Sequence, residues 1–307
     1  MMDSHPTLDA LPNELLISII SLLPTTALLP LAAVSHRIHA VTLRILQQRL
    51  ARAVAEPDHR LMLECYHPTE KLYTPYLYCD YLRTDPFALP GEDNGKCLRE
   101  AYSHFQPVEN DEDRSPAGAA RRRNTRFARR PNVDDGGTAG DQKEEHRLPP
   151  WIDLYLDGDE SFSQLCTITN LVRLGPKPGL FLSHVNVGEG VVRVWRDWLG
   201  ARAQAAASAT AAAAGGEEAA VSSSEEEEAV VLWADPNHDV GVRFRVTEKD
   251  IRGQHPVLMG SDEQLPVAYR LEFEELLVKS TTLLIMVEKS EVQQVATEGK
   301  AIVLASF

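Results

Sequence analysis

From Leu8 to Leu50 the chain reads LDALPNELLISIISLLPTTALLPLAAVSHRIHAVTLRILQQRL, and its apolar positions recur in steps of three and four. Leu11, Leu15, Leu16, Ile19, Ile20 and Leu23 form one stripe, Leu28, Leu31 and Val34 a second, and Ile38, Val41, Ile45 and Leu46 a third. That period places each set on one face of a helix. The breaks between helices are also readable. Pro12 suits a first helical turn, where a missing N–H costs nothing, and Glu14 complements the positive end of the helix dipole. Pro24 stops the first helix, because the residue before a proline is pushed out of the α region. Thr25 or Thr26 is suited to cap the second helix, and Ser35 the third.

Three short helices of this kind bury too little to be stable alone. Each large aliphatic side chain gains roughly 1.5–3 kcal/mol on full burial, and more are on offer than the trio can hide. The surplus must dock either on the rest of this chain or on a separate protein.

The residues themselves carry a resemblance. Leu11-Pro12, Glu14-Leu15-Leu16, Ile19, Leu23, Leu28, Leu31 and Val34-Ser35 resemble the F-box in order and spacing. Two features depart from its usual pattern. Pro30 removes a donor inside the second helix, and Ile38, with His36 and His39, stands where many F-boxes carry an aromatic residue. The resemblance implies that residues 8–54 bind the Skp adaptor of an SCF ubiquitin ligase, and through it the cullin and RING subunits. It implies contacts from Leu11, Pro12, Leu15, Leu16, Ile19, Leu23, Leu28, Leu31, Val34 and Ile38. It also implies that a second domain recruits a target protein, and that the chain itself is not an enzyme.

The hydropathy period changes from 3.6 to 2 after Glu56-Pro57-Asp58, which predicts a β-rich domain over 58–307. Strands are expected over residues 60–67, 72–82, 151–156, 164–174, 180–187, 191–199, 230–234, 240–246, 268–277 and 281–288, with a last short one near Ile302. Pro75 argues for an edge or a break, and Gly175–Gly179 for a turn. Residues 107–147 carry an acidic block, an arginine block and scarcely any large apolar side chains, so they read as a disordered insertion. Residues 201–228, rich in alanine, serine and glutamate, read as a second one. The expected fold is therefore α+β: a three-helix F-box followed by an antiparallel β-sandwich-like domain with two disordered insertions.

A net charge of −14 over 307 residues disfavours nucleic-acid binding, since phosphates repel an acidic surface. No run is long and apolar enough for a membrane span, and the start of the sequence lacks the charge and apolar pattern of a leader. With four cysteines, a cytoplasmic or nuclear location with free thiols is expected.

Catalytic signatures are missing from the sequence. Gly91–Cys97 is one residue short of a phosphate loop and ends in cysteine rather than Ser/Thr. Cys65, His67, Cys79, Cys97 and His104 contain no CxxC pair, so no metal site and no cofactor is expected. Trp195, Trp198 and Trp233 read as core rather than as a sugar platform. Ser222, Ser223 and Ser224 each precede a glutamate by three residues, the pattern of acid-directed kinases, and are candidate phosphorylation sites. The arginines of 121–130 read as a solvated run or a nuclear-import signal. The alternative to an adaptor-binding protein is a β-sandwich that binds glycan, lipid or peptide, with the helices packing only on their own chain.

Overall fold

A computed structural model describes residues 11–71, 74–88, 96–109, 149–175, 180–215, 231–250, 265–296 and 302–303. Helices α1 (Asn13–Ile20), α2 (Thr25–Leu31) and α3 (His36–Ala55) come first. The strands that follow are β1 (His59–Tyr66), β2 (Leu77–Thr84), β3 (Tyr102–Val108), β4 (Trp151–Leu156), β5 (Phe162–Leu174) and β6 (Leu180–Trp195). Helix α4 (Arg196–Gly215) precedes β7 (Val231–Trp233), β8 (Val240–Lys249) and β9 (Val267–Lys279). Helix α5 (Ser280–Ala296) and β10 (Ile302–Val303) complete the described elements.

All ten strands join one antiparallel sheet in the order β10-β6-β5-β1-β2-β3-β9-β8-β7, with β4 also paired to β9. The sheet coils until its two sides meet, giving a barrel- or sandwich-like β domain after an N-terminal helical segment. At the meeting point a Cβ on Gly190 of β6 would lie 1.8 Å from the Ala234 carbonyl oxygen beside β7, so only glycine permits the approach. Alternating residues fill the interior: Leu61, Leu63 and Cys65 from β1, Ile152, Leu154 and Leu156 from β4, and Val242, Phe244 and Val246 from β8. The same core continues through Leu283, Leu284 and Val287 of α5 to Leu16, Ile20, Leu28 and Ile38 of the N-terminal helices.

Three stretches differ from the sequence expectation, the first being β3, Tyr102–Val108, where no strand is expected. Residues 281–288 form the first half of α5, not a strand. Leu283, Leu284, Val287 and Ser290 are its buried face, a spacing of three and four that prevails over the β-branched Thr281, Thr282, Ile285 and Val287. Residues 191–195 do extend β6, but the chain turns helical at Arg196. Leu199 and Ala203, four apart, are buried and anchor α4 to β8. Once that first turn is fixed, the alanines propagate it to Gly215, so 201–215 is helix rather than a disordered insertion. Residues 216–228, and 110–147 of the other insertion, lie outside the described residues, while Pro107 and Val108 belong to β3.

The helix breaks fall close to the prolines and at Ser35, but Pro12 is the N-cap of α1 rather than part of its first turn, and α1 ends at Ile20, ahead of Pro24. Ser35 caps α3, its hydroxyl accepting the Ile38 N–H at 3.3 Å. Pro24, not Thr25 or Thr26, occupies the N-cap position of α2 and offers no side-chain acceptor.

Candidate interaction surface

Helix α1 is apolar on two sides. Leu16 and Ile20 point inward and are buried. Leu15 and Ile19, four apart, point outward and are 52% and 49% exposed, and Leu22, in the turn just after α1, is 84% exposed. Val34, beyond α2, adds another outward apolar group at 65%. Of the ten residues expected to contact an adaptor, Pro12, Leu15, Ile19 and Val34 are exposed, and Leu11, Leu23 and Leu31 are half-buried. Leu16, Leu28 and Ile38 sit in the core and offer no free surface. Sequence reasoning missed Leu22, although it follows directly on the Leu15–Ile19 stripe.

Polar contacts from α3 hold this surface in place. Arg37 donates to the Leu11 carbonyl at 2.5 Å and to the Asn13 Oδ1 at 2.8 Å, fixing the start of α1. Twelve residues on, Arg49 donates to the Ser21 and Leu23 carbonyls at 2.9 and 2.5 Å, fixing its end. The orphan N–H of Thr25 at the start of α2 is satisfied by Glu288 of α5, at 3.0 Å to both carboxylate oxygens. Beside this corner, α3, α5 and residues 184–186 of β6 line an open cleft of about 1100 Å3.

Residues 8–52 match the F-box-like family model. No curated protein and no solved structure matches the chain. The F-box-like segment thus has a sealed inner stripe and an open outer one, and it is anchored to α5 and the β domain rather than standing apart.

Two polar clusters elsewhere resemble catalytic groupings, but their burial argues otherwise. Glu56, His59 and Ser290 lie close together, with His59 Nδ1 2.8 Å from the carboxylate and Nε2 3.2 Å from the Ser290 hydroxyl. Ser290 and its neighbour Ser183 have no exposed surface, so no substrate reaches the hydroxyl. Their contact ties α5 to β1 and β6. Burial also holds the His59 pKa below its ordinary value, despite the Glu56 carboxylate. His104 of β3 lies 3.1 Å from Glu275 and 3.3 Å from Asp85, one through each ring nitrogen, which leaves no nitrogen to act as a base.

Among the described residues no group of three or more His, Cys, Asp or Glu is placed to hold a metal ion. Cys65 and Cys79 are buried free thiols, Cys97 is exposed and Cys166 half-buried; burial pushes the Cys65 thiol up to about 12. No helix among the described residues is long and apolar enough to cross a membrane. Trp198 and Trp233 are half-buried, but Trp195 is 50% exposed and packs against Phe162, at the sheet surface rather than in the core. Ser222, Ser223, Ser224 and the 121–130 arginines lie outside the described residues.

Proposed function

We propose that this protein is a non-catalytic substrate receptor of an SCF ubiquitin ligase, docking the Skp adaptor through the outer stripe of its F-box-like segment. F-box-like domains generally bind Skp-type adaptors. The observation that carries the reading is the uncovered row Leu15, Ile19 and Leu22, joined by Val34, on a segment whose inner row is already buried. Several large apolar groups left exposed on one well-anchored helical segment favour a protein partner. The β domain then holds a target protein near the ligase, and proximity replaces a bimolecular encounter between target and charged conjugating enzyme.

Burial of Leu16, Ile20, Leu28 and Ile38 against the chain's own core favours the alternative in part, because that half of the apolar surface packs intramolecularly. The outer half distinguishes the two readings. The test is co-purification of the full chain with Skp, comparing wild type with Leu15→Asp/Ile19→Asp. Loss of Skp with an unchanged melting temperature supports the reading; retention of Skp by the double variant defeats it.

A further inference from the structure

The corner between α1 and α2, Ser21–Pro24, offers no side-chain cap to the start of α2. The N–H groups of Ser21, Leu22 and Leu23 donate back to α1, but the Ser21 and Leu23 carbonyls and the Thr25 N–H are satisfied by two residues distant in sequence. Arg49 Nη2 takes the Ser21 and Leu23 carbonyls, and Arg49 Nη1 lies 2.8 Å from Glu288 Oε1. Glu288 in turn accepts the Thr25 N–H and, at 2.5 Å, the Thr25 hydroxyl, across 263 residues of sequence. Leu22 stands between the two carbonyls that Arg49 holds. It is also the most exposed large apolar side chain among the described residues.

An exposed leucine on an unrestrained loop would lose rotamer and backbone freedom on binding, and that loss would weaken the complex. Here the backbone on both sides of Leu22 is already fixed by charge-assisted hydrogen bonds, which are stronger than neutral ones. The cost of ordering the corner is met in the free protein. The Leu22 N–H bonds to the Ile19 carbonyl at 3.2 Å in the turn that ends α1, so Leu22 follows directly on the Leu15–Ile19 row and a partner covering that row reaches it.

We propose that Leu22 is an anchor of the adaptor interface and that Glu288, on the far C-terminal helix α5, is its positioning residue. This rests on the reading that a Skp adaptor docks on the outer row. The carboxylate of Glu288 sets Arg49 and the first turn of α2, and these set the corner that presents Leu22. Adaptor affinity at the N-terminal helices then depends on α5, and by reciprocity the bound adaptor steadies α5 and the cleft beside it.

The test uses the full-length chain and purified Skp, with affinity measured by calorimetry for wild type, Leu22→Ala, Glu288→Gln and the double variant. Hydrogen exchange of the Thr25 amide is followed in parallel. Each single variant is expected to weaken Skp binding about tenfold, and Glu288→Gln to speed exchange at Thr25 while strand amides stay protected. Because Glu288 acts through the corner, Glu288→Gln should add little once Leu22 is truncated, so the double variant should bind within about threefold of Leu22→Ala. A merely structural loss would multiply the two effects. Wild-type binding with multiplicative effects, or with no effect of Glu288→Gln despite faster Thr25 exchange, overturns this proposal and leaves the adaptor reading standing. Failure of the wild-type chain to bind Skp overturns both.

Discussion

The imidazole of His104, on β3, lies 3.1 Å from the carboxylate of Glu275 on β9 and is almost fully enclosed. Asp85 takes the other ring nitrogen, while Arg83 and Arg243 complete the shell of Glu275. Burial alone would lower the His104 pKa, but its hydrogen bonds to the two carboxylates outweigh it and raise the value. Glu275 is drawn down to about 2, chiefly by His104. Asp85 also falls to about 2; burial opposes this, but His104, the Tyr102 N–H and Lys96 prevail. Four strands, β2, β3, β8 and β9, meet at this cluster or beside it.

The two buried histidines predict opposite pH dependences. His104 binds its proton more tightly folded than unfolded, so its contribution is complete below about 6.5 and is lost as pH rises through the raised value. His59 binds its proton less tightly when folded, so its neutral form contributes most above about 6.5, and that contribution falls as acid protonates the unfolded chain preferentially. Urea denaturation between about pH 5.5 and 8 should show His104→Gln removing a decline toward alkali and His59→Gln removing a decline toward acid. A parallel shift of both profiles, with no change of slope, would contradict this.

The two sides of α1 predict a sharp contrast between adjacent residues. Leu16→Ala opens a cavity in the core and should cost about 2–4 kcal/mol. Leu15→Ala, next to it but half exposed, should change stability by less than about 0.5 kcal/mol. Chemical denaturation of the two variants side by side measures the difference. For the same reason, an adaptor-binding test that substitutes Leu16 would confound loss of the surface with loss of the fold.

Closure of the sheet predicts an intolerant glycine. Gly190→Ala would place its methyl 1.8 Å from a backbone carbonyl, so β6 and the β7–β8 hairpin must separate. The expected cost is about 2 kcal/mol or more, with faster hydrogen exchange at Val231–Trp233. Wild-type stability in this variant would mean that the two sides of the sheet do not close there.

Much of this architecture is legible in the residues themselves. Pro12, Pro24 and Ser35 mark the helix starts, and alternation along residues 151–156 and 240–246 gives both the strands and their inward faces. α5 was harder to read, because Thr281, Thr282, Ile285 and Val287 carry β propensity. The unbroken absence of glycine and proline from 280 to 298, together with the spacing of Leu283, Leu284, Val287 and Ser290, was the available signal. The start of α4 depends on where Leu199 and Ala203 find cover, which no local pattern states.

Sequence by itself determined that the N-terminal helices carry more apolar surface than they can hide, since spacing and residue type are local properties. It could not say which half of that surface is free. Leu15 and Leu16 are equally apolar neighbours, and only the packing of α1 on α3, which carries Leu16 into the shared core, buries Leu16 and leaves Leu15, Ile19 and Leu22 outside. The cap of α2 was decided in the same way. Its acceptor is a glutamate 263 residues away, brought to Thr25 by the way the chain folds back.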